Sequence, residues 1–82
     1  MATTPPGDPD GIRALSDAEY NVLYWLAMGR TYREIAEIRH TATITVREQA
    51  HQIRQKTGTH TQHQTVALWW WHRVTEALKA TA

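Results

Sequence analysis

Apolar positions recur along this chain with the period of an α-helix. Between residues 43 and 57, apolar and small side chains stand at intervals of four, three and four residues; they are Val46, Ala50, Ile53 and Thr57. At 3.6 residues per turn these positions share one face of a helix, so that face is predicted to be buried. No segment shows the period-two alternation of a strand, and the pattern therefore predicts an all-α fold.

Capping signals mark the starts of the predicted helices. Three segments place Ser or Thr three residues before Glu or Gln, which is the pattern of a capping box; the pairs are Ser16 with Glu19, Thr31 with Glu34, and Thr61 with Gln64. Gly29 and Gly58 supply the left-handed residue that commonly ends a helix. Four helices are predicted, over about residues 17–28, 32–38, 43–57 and 62–80.

Residues 1–14 differ in composition from the remainder of the chain. They contain all three prolines and two of the four glycines, with Met1 and Ile12 as the large apolar residues. Such a segment contributes little to a core, and it is predicted to be a flexible N-terminal leader. The length of 82 residues fits one domain, predicted over residues 15–80.

Charge is distributed unevenly, although the net charge is only +1. Residues 1–20 contain four acidic side chains and one Arg, a net charge of −3, whereas residues 30–63 contain six basic side chains and three Glu, a net charge of +3. A positive middle segment suits a surface that faces phosphate, and it equally fits a solvated helix face.

Composition argues against several other classes of protein. With no Cys, disulfides, thiolate catalysis and thiolate zinc sites are excluded. His60 and His63 fall on one helical turn without an accompanying carboxylate, so no metal and no cofactor is predicted. No catalytic triad or glycine-rich phosphate loop is recognisable, and an enzyme is not expected. The longest apolar run, residues 66–71, is too short to cross a bilayer, which predicts a cytoplasmic protein without a membrane partner.

A series of landmarks follows one another without insertion between Leu15 and Leu68. They are Leu15, Ser16, Glu19, Val22, Leu23, Ala27, Gly29, Glu34, Ile35, Ala36, Thr45, Val46, Ile53, Lys56, Gly58, Val66 and Ala67. In residue type and spacing this segment resembles the LuxR-type (GerE-like) DNA-binding domain, a four-helix helix-turn-helix module of bacterial transcription regulators. The resemblance implies that residues 43–57 form the recognition helix and that the fourth helix supports dimerisation.

Several residues depart from the family pattern. Arg39 and Thr41 stand where the family usually has apolar residues, Ala42 replaces a capping Ser, and Thr57 replaces a Leu. Gln49 stands where the family often has His. These departures predict a weaker apolar seal around the turn, or a redesigned surface there.

The predicted recognition helix carries the candidate DNA contacts. The exposed positions of its first turns approach base edges in the major groove, which predicts base contacts by Arg47, Glu48, His51 and Gln52. Contacts with the DNA backbone are predicted for Thr31, Tyr32, Thr45, Arg54 and Lys56. The partner implied is double-stranded DNA, bound by a transcription regulator of a bacterium or its phage.

Three consecutive indoles, Trp69 to Trp71, cannot all enter one small core because successive helical residues point about 100° apart. We expect Val66, Trp70 and Val74 to pack on the first predicted helix. The other stripe is predicted to form a homodimer or partner interface; it consists of Leu68, Trp69, Trp71, Thr75 and Leu78.

A second function remains open at this point. A similar four-helix module forms the fourth region of sigma factors, where a sequence like Tyr32 to Ala36 also occurs. On that hypothesis the chain is a protein-binding adaptor that contacts RNA polymerase or another regulator through its tryptophans. The modest net charge and Glu48 on the recognition face favour this alternative. Arg47, Arg54 and Lys56 oppose it.

Overall fold

The computed structural model describes residues 4–81. It contains α1 (Asp10–Arg13), α2 (Asp17–Ala27), α3 (Tyr32–Arg39), α4 (Thr43–Thr57) and α5 (Gln62–Thr81). Residues 4–81 contain no strand, and the predicted all-α fold class is confirmed. The four predicted helices correspond to α2 through α5.

The helix ends follow the capping chemistry of the sequence. At the start of α2 the Ser16 hydroxyl accepts from the Glu19 N–H and the Glu19 carboxylate accepts from the Ser16 N–H, at 3.1 and 2.8 Å. Thr31 and Glu34 repeat both bonds at the start of α3. The third pair differs, because Gln64 Oε1 accepts from the His60 N–H instead of that of Thr61.

The core lies where α2, α3 and α5 surround α4. The stripe predicted on α4 is buried at all four positions, Val46, Ala50, Ile53 and Thr57. Its partners come from the other three helices, and they are Val22, Leu23, Leu26, Ile35, Ala36 and Trp69. This arrangement fixes α4 by its inner face and leaves its outer face exposed.

The N-terminal segment does not match the expected leader. Within it, α1 packs on α4, with Gly11 and Ile12 buried and the Asp8 N–H donating to Thr57 O at 2.8 Å. A Cβ built on Gly11 would lie 2.1 Å from Lys56 O, so only glycine permits this approach. A four-residue helix has too few positions to show a period, which is why the sequence pattern did not predict α1.

Three threonines form a hydrogen-bonded chain in the interior. Thr57, which replaces the Leu of the family pattern, donates to Ile53 O at 2.7 Å. Its hydroxyl lies 3.0 Å from that of Thr59, which in turn lies 2.6 Å from that of Thr65. All three residues are buried. The polar replacement is therefore satisfied by partners, and it joins the end of α4 to the start of α5.

The rotation of α5 differs from the prediction. Leu68 and Trp69 are 0% and 4% exposed, and the Trp69 ring packs edge-on against Tyr24, so neither can form the predicted partner interface. Trp70 and Val74 are 46% and 55% exposed, and their predicted packing on the first long helix is wrong. The spacing of three adjacent indoles does not determine which one enters the core, because burying any one of them turns the other two away from it.

Among the described residues, no helix combines the length and the apolar character that a membrane span requires.

Candidate nucleic-acid interface

A tight turn joins α3 to α4 and sets up a helix-turn-helix. α3 ends at Arg39 and is capped by His40, whose φ of 56° is left-handed, and the Thr41 N–H donates to Ala36 O at 3.0 Å. Histidine tolerates this region better than most non-glycine residues. Ala42 is the N-cap of α4 and provides no side-chain hydrogen bond, as expected where Ala replaces the capping Ser of the family pattern. The half-buried Arg39 donates to Asn21 Oδ1, so this departure also finds a polar partner.

All four predicted base-contact residues are exposed. Arg47, Glu48, His51 and Gln52 lie on α4 outside its buried stripe. Within the part of the chain that the structure describes, Arg47 has no carboxylate within 4 Å of its guanidinium. Its charge is therefore directed to solvent and is available to a ligand.

Arg47 lines an open depression of about 500 Å³ that collects the starts of three helices. Gly29 to Arg33 span the start of α3, Thr43 is the first residue of α4, and Gln62 is the first residue of α5. The N-terminal end of a helix carries a partial positive charge and free N–H groups. The depression thus combines three such ends with the side chains of Arg47 and two further arginines, Arg30 and Arg33.

The structure places Arg54 beside this depression. Its Nη1 donates to Tyr32 Oη at 3.5 Å, which links α4 to the start of α3. Arg54 also lines a second depression of about 400 Å³ with His51 and His60. Of the predicted backbone contacts, Thr31, Tyr32 and Arg54 are therefore brought together with Arg47.

Lys56 lies elsewhere than the prediction requires. Its Nζ is 2.6 Å from Glu19 Oε1, and the Glu19 side chain is only 10% exposed. Burial raises the pKa of Glu19, but hydrogen bonds from Lys56 and from the Ser16 N–H together lower it below its usual value. Lys56 therefore fixes α4 to α2. Thr45, which is half-buried, lies three turns earlier on this same side of α4, and its phosphate contact stays a prediction.

Acidic neighbours of the depression are already engaged. The Thr31 N–H donates to Glu34 Oε1 at 3.0 Å, and this bond lowers the pKa of that carboxyl. Arg30 lies 3.4 Å from Glu34, and Arg33 lies 3.7 Å from Glu37. These pairs are solvent-exposed, so they hold the arginines only weakly.

Sequence reasoning missed five residues of the depression, which are Gly29, Arg30, Arg33, Thr43 and Gln62. Each lies within three residues of the first residue of a helix. The predicted helix starts contained this signal, but nothing in the sequence showed that the three starts converge.

A second exposed feature is an apolar face of α5, whose side chains surround a shallow, open depression of about 490 Å³. It is lined by Ala67, Trp70, Trp71, Val74, Thr75 and Leu78. Trp71, Thr75 and Leu78 were predicted as interface residues and lie here, whereas Trp70 and Val74 replace the buried Leu68 and Trp69. We call this surface the α5 groove.

Comparison with known proteins identifies the family. The model of the family described as bacterial regulatory proteins, luxR family, matches residues 13–69. No curated protein and no solved structure matches the chain. Since the family match covers well over half of the sequence, the chain belongs to the luxR family of bacterial regulatory proteins, and its helix-turn-helix is a DNA-binding regulatory domain.

Proposed function

We propose that this chain regulates transcription by placing α4 in the major groove of double-stranded DNA. The observation that carries the proposal is the depression in which the starts of α3, α4 and α5 meet beside Arg47. Helix N-termini and arginines are the groups that proteins use to bind phosphate. A phosphate held there would hold α4 beside the groove, with its outer face toward the bases.

The side chains of α4 then divide into two roles. Arg47 reads guanine through paired bonds to O6 and N7, and Glu48 accepts from the amino group of cytosine. His51 and Gln52 follow on the exposed face and extend the reading toward the next base pairs. Thr31, Tyr32 and Arg54 contact the sugar-phosphate backbone and fix the register of the helix.

Selection from a pool of random duplexes tests this proposal with the full chain. We expect the wild-type chain to select one sequence and to lose affinity as salt rises, because bound phosphate releases counterions. Arg47→Ala should weaken the selected duplex by about 1–3 kcal/mol and relax the preference at one guanine. Lys79→Ala removes the same charge from the far end of α5, and it should leave the base preference unchanged.

Binding that does not respond to salt, or selection that returns no common sequence, would contradict the proposal. An unchanged base preference in Arg47→Ala would contradict the role given to that side chain alone.

We further propose that the chain acts as a homodimer joined through the α5 groove. Trp70, Val74 and Leu78 recur every four residues, and all three are exposed. Contiguous exposed apolar area of this kind marks a contact surface. Two copies related by a two-fold axis can each present the same groove to the other, which is the usual form of a homodimer.

Sedimentation of the chain alone tests the dimer. The wild-type chain should sediment as a dimer, and Trp70→Ala should sediment as a monomer while it keeps its helical content. Met28→Ala, a truncation of another exposed apolar residue on a different surface, should remain dimeric. A wild-type chain that is monomeric at every concentration would contradict this proposal.

The α5 groove also supports the second candidate function, a contact with RNA polymerase or another regulator. That function predicts a monomeric chain that co-sediments with RNA polymerase in a manner sensitive to Trp70→Ala.

A further inference from the structure

One isoleucine interrupts the polar surface of α4. Ile44 is 56% exposed, more than any other large hydrophobic side chain outside α5 among residues 4–81. It lies in the first turn of the helix, directly after Thr43. Burial in the core therefore does not explain why an isoleucine stands at this position.

The position of Ile44 follows from the buried stripe. Ile44, Glu48, His51 and Gln55 repeat the spacing of Val46, Ala50, Ile53 and Thr57, displaced by two residues. Two residues turn a helix by about 200°, so this second line runs along the outermost face of α4. Ile44 stands at its N-terminal end, one turn before Glu48.

A recognition helix contacts base edges mainly through its N-terminal residues. On the docking proposed above, the Ile44 side chain therefore enters the major groove ahead of Glu48 and next to Arg47. Isoleucine neither donates nor accepts a hydrogen bond. The C5 methyl of thymine is the apolar group that the bases display in the major groove.

We propose that Ile44 is a specificity-determining residue that selects thymine by contact with its C5 methyl group. The contact lies beside the base pairs read by Arg47 and Glu48. This inference rests on the proposed DNA-binding function and adds to it a residue, a base and the chemical group of that base. The apolar contact excludes water from both partners, so it favours thymine over the other bases at one position of the site.

Substitution of deoxyuridine for thymine tests the inference, because deoxyuridine keeps the base-pairing pattern and lacks only the methyl group. Each thymine of the selected duplex is replaced in turn, and affinity for the full chain is measured. One replacement should weaken wild-type binding about fourfold, which corresponds to about 0.8 kcal/mol for a methyl-sized group. The same replacement should have no effect on Ile44→Ala.

Two control variants isolate the side chain. Ile44→Val retains a branched apolar group and should retain the deoxyuridine effect. Ile38→Ala truncates the exposed isoleucine of α3 and should retain it as well. Helical content measured for each variant shows that the fold is intact.

The possible outcomes distinguish a failure of this inference from a failure of the proposed DNA-binding function. A chain that binds no duplex overturns both. Salt-dependent selection of one sequence, with no position sensitive to deoxyuridine, overturns the role of Ile44 alone. A loss of affinity on deoxyuridine replacement that persists in Ile44→Ala also overturns it, since another residue then contacts the methyl group.

Discussion

Glu19 joins two parts of the fold through one carboxylate. It accepts from the Ser16 N–H at 2.8 Å, which completes the cap of α2, and from Lys56 at 2.6 Å, which ties α2 to α4. Only 10% of its side chain is exposed, so both bonds are largely shielded from water. The position of α4 therefore depends on the carboxylate of a residue outside the proposed interface.

This dependence predicts a loss of stability in acid. Because the pKa of Glu19 is lowered on folding, its contribution is present above the usual value of 4.5 and is lost as pH falls through the folded pKa. Glu19→Gln should lower the free energy of unfolding by about 1–2 kcal/mol at pH 7. The difference from wild type should shrink as the pH falls below 4.5.

Urea unfolding at pH 7 and in acid measures both effects. Glu37→Gln alters a carboxylate that is 72% exposed. It should change neither the free energy of unfolding at pH 7 nor the loss of stability in acid. A difference between Glu19→Gln and wild type that is independent of pH would show that the charge of Glu19 does not stabilise the fold.

The buried threonine chain supports a second prediction at this scale. Thr59 is 5% exposed and stands between the hydroxyls of Thr57 and Thr65. Thr59→Val keeps the shape and removes the central hydroxyl, so it should cost about 1–2 kcal/mol in the free energy of unfolding. Thermal unfolding measures the loss, and Thr41→Val, at an exposed position, is the matched control. An equal melting temperature for Thr59→Val and wild type would contradict a stabilising role.

Individual residues show how far sequence reasoning extends. The boxes at Ser16 and Thr31 were predictable because a capping box involves only residues three apart. The partner of Lys56 was not, since Glu19 is distant in sequence and meets it only through packing. Capping bonds between residues close in sequence can be predicted from the chain, whereas ion pairs between helices depend on how the helices pack.

At the scale of the elements, α1 extends the domain beyond its predicted start. It reaches α4 because Gly11 lets the two backbones meet beside Lys56 and Thr57. Gly11→Ala would introduce a Cβ 2.1 Å from Lys56 O, so we expect α1 to separate from α4 or to shift. The cost should be about 1–3 kcal/mol, as for other overpacked sites.

Urea unfolding together with amide exchange checks this prediction. Gly11→Ala should expose the Asp8 N–H, which bonds to Thr57 O in the wild-type chain, to faster exchange. Asp10→Ala changes a side chain of the same helix that is 85% exposed and should leave exchange slow. Unchanged exchange in Gly11→Ala would contradict the close approach.

The helices that sequence reasoning predicted well are those with a long apolar period or a strong cap. The inner stripe of α4 was correct at every position because its apolar and small residues recur every three or four positions, with polar residues between them. The rotation of α5 was not predictable, since its apolar residues occur on several faces. Packing of Trp69 against Tyr24 decides that rotation, and it leaves Trp70 on the surface.

At the scale of the whole molecule, the two proposed surfaces occupy different parts of the chain. The interface for DNA consists of α3, α4 and the start of α5, whereas the α5 groove lies further along α5. A dimer joined by the groove would therefore keep both recognition helices available. Two such helices read half-sites whose centres lie about 10–10.5 base pairs apart, or a multiple of that distance.

Half-site spacing provides the prediction at this scale. A duplex with two half-sites at the selected spacing should bind the wild-type chain far more tightly than a duplex in which about half a helical turn is inserted, because the second site then faces away. Trp70→Ala should bind both duplexes alike. Electrophoretic mobility on the two duplexes measures this difference, and equal wild-type affinity for both would contradict two-fold reading.

The three helix starts around Arg47 mark the limit of prediction for the whole molecule. Helix boundaries and family landmarks were readable from the sequence, and the family match confirms the resemblance over residues 13–69. The convergence of Arg30, Thr43 and Gln62 was not readable, because it arises from the angles between helices. Those angles are set by packing in the core, to which Tyr32 is the one lining residue that also belongs.

The unequal burial of Trp69 and Trp70 gives the molecule two built-in optical probes. The indole of Trp69 lies in the core, so its emission should shift to longer wavelength when the chain unfolds. The indole of Trp70 lies in the α5 groove, and its emission should shift to shorter wavelength whenever a partner excludes water from it. Because the two shifts have opposite directions, the summed emission of the chain's four tryptophans distinguishes unfolding from assembly without any added label.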